Sequence, residues 1–153
     1  MSALDLRIPP MIVVILLGGA MWGLARLAPG LYYHYPGRLP LAIAIGLLGL
    51  IVVMAALIQF RRQQTTPDPT RPEKSTAIVT TGIYSRSRNP MYLGMLLWLI
   101  GWGVYLSNPM VAIGPIAFVL YLNRFQIAPE ERALTRSFGA PYQEYLRSVR
   151  RWM

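Results

Sequence analysis

The chain has 153 residues, 54% hydrophobic and 14% charged, and its apolar residues come in blocks too long and too thinly covered by charge for a soluble domain. The formal net charge of +9 comes from basic residues that flank those blocks, so the expected counterpart is anionic lipid headgroups, not nucleic acid. With no cysteine and a single histidine, His34, disulfides, thiolate chemistry and a histidine-cluster metal site are excluded.

A short polar lead with Asp5 and Arg7 precedes Pro9-Pro10 and a first apolar run ending at Leu27. The lead lacks the net positive charge of a secretory signal, and Arg26 interrupts the small-residue stretch that resembles a cleavage site. The run (residues 9–27) is therefore expected to be a transmembrane helix, with Gly18, Gly19 and Gly23 offering a close-packing face. In the following loop, Tyr32, Tyr33 and Tyr35 between two Pro-Gly pairs have the composition of an interfacial aromatic belt, and His34 among them reads as an interface residue. Residues 39–60 are the clearest span, 22 residues without a charge before Arg61-Arg62.

Residues 61–83 are polar, and Pro67, Pro69 and Pro72 exclude a regular helix there. The segment is long for a plain connector. It runs into Gly82-Ile83-Tyr84-Ser85-Arg86-Ser87-Arg88-Asn89-Pro90, where the proline pushes Asn89 out of the helical region and opens a helix behind it. Arg86 and Arg88 then stand at a helix N-terminus on the membrane surface, a setting that suits a bound anion or a positive-inside anchor. Spans 91–106 and 109–123 are short and meet at Ser107-Asn108-Pro109, which reads as a helical hairpin, with Pro115 expected to kink the fourth helix. Trp98 and Trp102, one helical turn apart, share a face and are assigned to packing.

Pro129 is expected to start a new helix carrying Glu130 and Glu131 in its first turn, where the macrodipole favours carboxylates. Leu134, Phe138, Tyr142 and Tyr145 then recur at helical spacing, giving an amphipathic segment on the membrane surface interrupted at Gly139-Ala140-Pro141. The expected fold is an all-α integral membrane domain over 1–153, with about four transmembrane helices and a C-terminal amphipathic helix. The segment 61–90 carries six Arg or Lys residues and the tail after residue 122 another six, whereas the loop at 28–38 carries only Arg38. The positive-inside rule then puts both basic segments and both termini in the cytoplasm.

Two of these stretches carry a family resemblance. Gly82-Ile83-Tyr84-(x)3-Arg88-Asn89-Pro90-Met91-Tyr92-Leu93-Gly94, followed by Arg124-(x)5-Glu130-Glu131-(x)2-Leu134-(x)3-Phe138-Gly139-(x)2-Tyr142-(x)2-Tyr145, resembles the isoprenylcysteine carboxyl methyltransferase and phospholipid methyltransferase family. The resemblance covers roughly residues 67–150. It implies S-adenosylmethionine as cofactor, held in a membrane-embedded pocket open to the cytosol, and a lipophilic acceptor arriving sideways from the bilayer. On that basis Tyr84, Arg88, Asn89, Pro90, Tyr92 and Leu93 are expected to contact the cofactor, and Glu130 to take its ammonium or ribose. Glu131 and Arg124 are expected to face the substrate. A carboxylate acceptor would be oriented by Arg124 and need no base; an amine would need Glu131 to accept its proton. The family has histidine or asparagine before the proline, and Asn89 brings no titratable group to that place. Two other readings stand beside this one: an NADPH-binding sterol-reductase-like protein, and a non-catalytic membrane scaffold. A transporter fits less well, since neither a repeat nor paired broken helices is evident.

Overall fold

The computed structural model describes residues 5–63 and 77–153; the proline-rich connector around Pro67, Pro69 and Pro72 lies outside the described residues. The elements are α1 (Pro10–Leu27), α2 (Arg38–Arg62), a 3-10 turn (Gly82–Ser85), α3 (Pro90–Leu106), a second 3-10 turn (Pro109–Ala112), α4 (Ile113–Tyr121), a π-helical segment (Leu122–Ile127), α5 (Ala128–Phe138) and α6 (Ala140–Ser148). Regular structure among the described residues is entirely helical. Three stretches are long and apolar enough to cross a membrane: Pro10–Leu27, Arg38–Arg62 and the continuous helical run Pro109–Phe138. The fourth apolar helix, α3, has 17 residues, a rise of about 26 Å at 1.5 Å per residue. The chain is a multi-pass, all-α membrane protein.

α3 sits at the centre, packed against α1, α2 and α4. Its tightest contact is a glycine crossing with α2. A Cβ added at Gly94 would lie 2.6 Å from the Gly49 carbonyl oxygen and 2.5 Å from Val53 Cγ2. Small residues give backbones this approach, and in lipid such packing replaces the hydrophobic drive. Trp98 and Trp102 do more than fill space. Trp98 Nε1 donates to the Gly46 carbonyl of α2 at 3.1 Å, and Trp102 Nε1 donates to the Gly18 carbonyl of α1 at 3.0 Å. One face of α3 is thereby tied to two different helices. Met21, Leu99, Phe118 and Leu122 are fully buried among these helices, while Ile15, Leu16, Leu47, Ile51 and Leu120 are each more than half exposed, as lipid-facing side chains are.

The far end of the bundle is closed by short polar bonds. Asn108 Nδ2 donates to the Ala28 carbonyl at 2.9 Å, Tyr33 N–H donates to the Ser107 carbonyl at 3.1 Å, and the Arg38 guanidinium lies over the Tyr32 and Tyr105 rings. His34 is exposed there.

One expectation about proline is corrected. Pro129 does not start a helix: Ile127 and Ala128 already have helical backbone angles, and the fourth span runs into α5 without a break. Having no N–H, Pro129 leaves the Phe125 carbonyl without its usual intrahelical donor. Leu6 N–H takes that carbonyl instead, at 3.0 Å, and the helix widens into a π turn over the same residues. Glu130 and Glu131 therefore gain nothing from a free helix N-terminus. Pro115 falls in the first turn of α4, behind the 3-10 turn, where a missing N–H is tolerated.

Gly94→Val should drive a branched side chain into the α2 backbone and lower stability by about 1–3 kcal/mol. Thermal unfolding of the detergent-solubilised protein measures it.

Candidate active site

The site grows from the turn before α3. Gly82 has φ +63°, a conformation that L side chains rarely adopt, and a Cβ there would strike the Gln59 side chain. The turn is thus pressed against the end of α2, with Tyr84 buried edge-on to the Phe60 ring at a centroid distance of 5.5 Å. Asn89 takes φ −129°, ψ 53°, outside the helical region as Pro90 demands, and Pro90 opens α3. α6 docks on this turn through Tyr145 OH, which donates to the Tyr84 carbonyl at 2.7 Å. Gly139, at φ +61° and ψ −132°, supplies the sharp break between α5 and α6 that lets α6 fold back.

The turn and the acidic pair meet. Arg88 Nη2 lies 3.1 Å from Glu131 Oε1, with the two side chains only 13% and 16% exposed. Arg88 Nη1 donates to the Leu146 carbonyl at 3.1 Å, while Arg88 Nε is buried without a partner among the described residues. Next to this pair, Tyr92 OH donates to Glu130 Oε2 at 3.0 Å. The two neighbouring carboxylates thus have different company: Glu131 is held by guanidinium groups and Glu130 by a phenol.

Residues at the end of the chain complete the arrangement. Arg151 Nε and Nη2 reach Glu131 Oε1 and Oε2 at 3.1 and 2.6 Å. The Arg88 N–H donates to the Arg150 carbonyl at 3.0 Å, and Asn89 Nδ2 donates to the Arg151 carbonyl at 2.9 Å. Ser87 Oγ accepts from the Asn89 N–H at 3.2 Å. The Arg88 backbone N–H and the Asn89 amide are therefore directed at the protein's own C-terminal residues, whereas Arg86 is exposed.

Of the residues singled out by sequence, the structure brings Arg88 to Glu131 and Tyr92 to Glu130, and buries Tyr84 and Pro90 beside them. Asn89 and Leu93 are half-buried, Asn89 turned to Arg151. Arg124 is not joined to Glu131. Its side chain is 59% exposed, lies over the Phe125 ring and pairs with Asp5 at 3.7 Å. Asp5, buried at the start of the chain, also meets Arg132 at 3.4 Å. Arg151, Trp152 and Asp5 were not foreseen. The signal for Arg151 was the uncompensated acidic pair, which once buried required a second cation.

Burial pushes the Tyr84, Tyr142 and Tyr145 phenols up; Glu130 adds to the rise at Tyr84, Glu131 and Glu130 add to it at Tyr142, and Arg88 opposes it at Tyr142 and Tyr145. These rings are neutral, aromatic neighbours of two carboxylates, an environment that receives an organic cation. No group of three His, Cys, Asp or Glu residues able to hold a metal occurs among the described residues. A cleft of about 480 Å³ opens beside Glu131, lined also by Ala128, Arg132, Thr135, Arg136 and Leu146. A second, apolar hollow of about 350 Å³ lies within the span region against Gly18, Trp22, Trp98 and Trp102.

A bundle of apolar spans bearing a buried arginine–carboxylate site at a helix entrance defines a multi-pass, all-helical membrane protein. The chain belongs to the phospholipid methyltransferase family, whose sequence model matches residues 38–141. It is 36% identical over 127 residues to protein-S-isoprenylcysteine O-methyltransferase A of Arabidopsis thaliana, covering 80% of this chain and 62% of that one. It is 39% identical over 83 residues to the Saccharomyces cerevisiae protein-S-isoprenylcysteine O-methyltransferase, covering 52% of this chain and 34% of the yeast protein. An uncharacterised Haemophilus influenzae protein is 46% identical over 63 residues, which are 41% of this chain and all of the relative. The chain spans about three fifths of the length of the Arabidopsis relatives. No solved structure matches it significantly.

Glu131→Ala strands Arg88 and Arg151 and should cost about 2–4 kcal/mol of stability, because it removes the partner of a buried charge. Glu131→Gln should cost less, and chemical denaturation in detergent ranks the two. The raised tyrosine values give a pH sign: the neutral phenols support the fold fully below their unfolded pKa of about 10, and that support is lost as pH rises through the higher folded values. Melting temperature should therefore fall above that pH, and less steeply in Tyr145→Phe.

Proposed function

We propose that this protein transfers a methyl group from S-adenosylmethionine to a lipophilic acceptor resident in the membrane, at a site on the cytoplasmic face. The observation that carries the reading is the Tyr92–Glu130 pair set beside the Arg88–Glu131 pair, on adjacent carboxylates. The residues suit the donor: Glu130 has a single hydrogen-bond donor among the described residues, Tyr84 and Tyr142 are buried neutral rings, and Arg88 Nε is a buried donor without a partner. Glu130 would take the ammonium or ribose, with Tyr84, Tyr92 and Leu93 along the adenosine and methionine portions and Arg88, Asn89 and Pro90 fixing the wall behind them. When bound, S-adenosylmethionine supplies a methyl already activated by its sulfonium, so positioning and the exclusion of water are what the chain must provide.

For the acceptor, an isoprenylcysteine-type carboxylate is favoured over a lipid amine. The Arabidopsis and yeast relatives are named as O-methyltransferases, and Glu131, engaged by two guanidinium groups, is poorly placed to accept a proton. A carboxylate oxygen is already anionic and needs no base. Arg124, exposed and weakly paired, is our candidate for orienting it, while Glu131 serves the acceptor side by holding its arginines. The same names favour methyl transfer over the sterol-reductase-like and scaffold readings. The basic 61–90 segment and tail support cytoplasmic termini.

In calorimetry, detergent-purified protein should bind S-adenosylmethionine saturably, and Glu130→Ala should weaken binding by at least about tenfold, the order expected for loss of a charge-assisted bond. With labelled cofactor and a farnesylcysteine analogue, the product should be a base-labile methyl ester; base-stable label in lipid amines would reject the carboxylate assignment. Absence of any binding or transfer would reject the function.

A further inference from the structure

The C-terminal residues Arg150, Arg151 and Trp152 look in sequence like the remainder of a positive-inside tail, but they behave differently from one another. Arg147 and Arg150 are exposed. Arg151 turns inward and makes a two-point contact with Glu131, the shorter bond being 2.6 Å. Its position is fixed from both sides: Asn89 Nδ2 holds its carbonyl at 2.9 Å, and the next residue, Trp152, packs against the core and donates from Nε1 to Asn123 Oδ1 at 3.1 Å. Asn123 belongs to the π-helical segment, so the strap crosses from the α3 entrance to the irregular turn that leads into the acidic pair.

We infer that Arg151 is a positioning residue of the methyl-transfer site: together with Arg88 it holds both oxygens of Glu131, so that of the two adjacent carboxylates Glu130 is left to serve the cofactor. Hydrogen bonds to each carboxylate oxygen decide which acid is free to turn. Glu131 receives Arg88 Nη2 and Arg151 Nε on one oxygen and Arg151 Nη2 on the other. Arg88 alone covers one oxygen, and its second terminal nitrogen is committed to the Leu146 carbonyl. Without Arg151, Glu131 Oε2 loses its donor, and the carboxylate is free to rotate toward an incoming cation in competition with Glu130. The fork geometry matters, since guanidinium covers both oxygens where an ammonium covers one. Asn89 takes its part through the strap: its amide sets the Arg151 backbone and touches Glu131 only by way of that arginine.

The inference rests on the methyltransferase reading, and the test separates the two. Wild-type, Arg151→Ala, Arg151→Lys and the exposed-site control Arg147→Gln are titrated with S-adenosylmethionine by calorimetry and melted in parallel. Arg151→Ala should bind about tenfold more weakly, the scale of coupling through one intermediary residue. Arg151→Lys should recover part of the loss, millimolar guanidinium should restore Arg151→Ala, and Arg147→Gln should match wild type. Wild-type affinity in Arg151→Ala overturns the inference alone. So does a loss that follows the melting temperature and is not relieved by guanidinium, because the arginine would then only hold the fold. No binding by wild-type protein overturns the functional reading and this inference with it.

Discussion

A largely buried carboxylate, gripped by two guanidinium groups, is the constraint on which the site depends. Glu131 is on α5, Arg88 precedes α3 and Arg151 lies at the far end of the chain, so three stretches distant in sequence must converge before the charge is compensated. An ionised group taken this far from water is costly when unpaired and tolerable when its oxygens are filled. Correct packing of the bundle and correct assembly of the pocket are therefore one event. The Tyr145 bond to the Tyr84 carbonyl and the Arg88 bond to Leu146 extend this grip to α6.

What places Glu131 within reach is the irregularity upstream. Pro129 deprives the Phe125 carbonyl of a donor, Leu6 supplies one from outside the helix, and the turn widens between residues 122 and 127. Leu122, Gln126, Ile127, Pro129 and Ala133 are all buried along this stretch, so the widened turn and the start of α5 keep an inward face while the helix leaves the apolar region. The lead before α1 is thus part of the same construction: Leu6 satisfies the freed carbonyl, and Asp5 collects Arg124 and Arg132.

The spans were legible because hydropathy over a stretch near twenty residues is a strong, local signal, and a motif in two parts made it legible that the Arg88 turn and the acidic residues come near one another, though not that they pair directly. Three features were not. Pro129 was read as a helix start because a missing N–H is equally at home there and inside a span whose freed carbonyl finds another donor, and that donor, Leu6, is more than a hundred residues away in sequence. Arg151 was hidden among six basic residues of the tail, all of which satisfy a topology argument equally well. Arg124 was grouped with Glu131 because both belong to one motif segment, whereas its partner in space, Asp5, is in the lead. In each case the deciding neighbour was remote, and periodicity carries no information about remote neighbours.

The unbroken run from Pro109 to Phe138 has a mechanical consequence. A rod with one end among the apolar spans and the other bearing Glu130 and Glu131 is a lever, and its inclination answers to how thick the surrounding lipid leaflets are. Thinning the sheet tips the rod, which swings Glu130 and Glu131 sideways relative to the arginines that must meet them. Bilayer thickness is thus expected to bear on how these acids align with their partners.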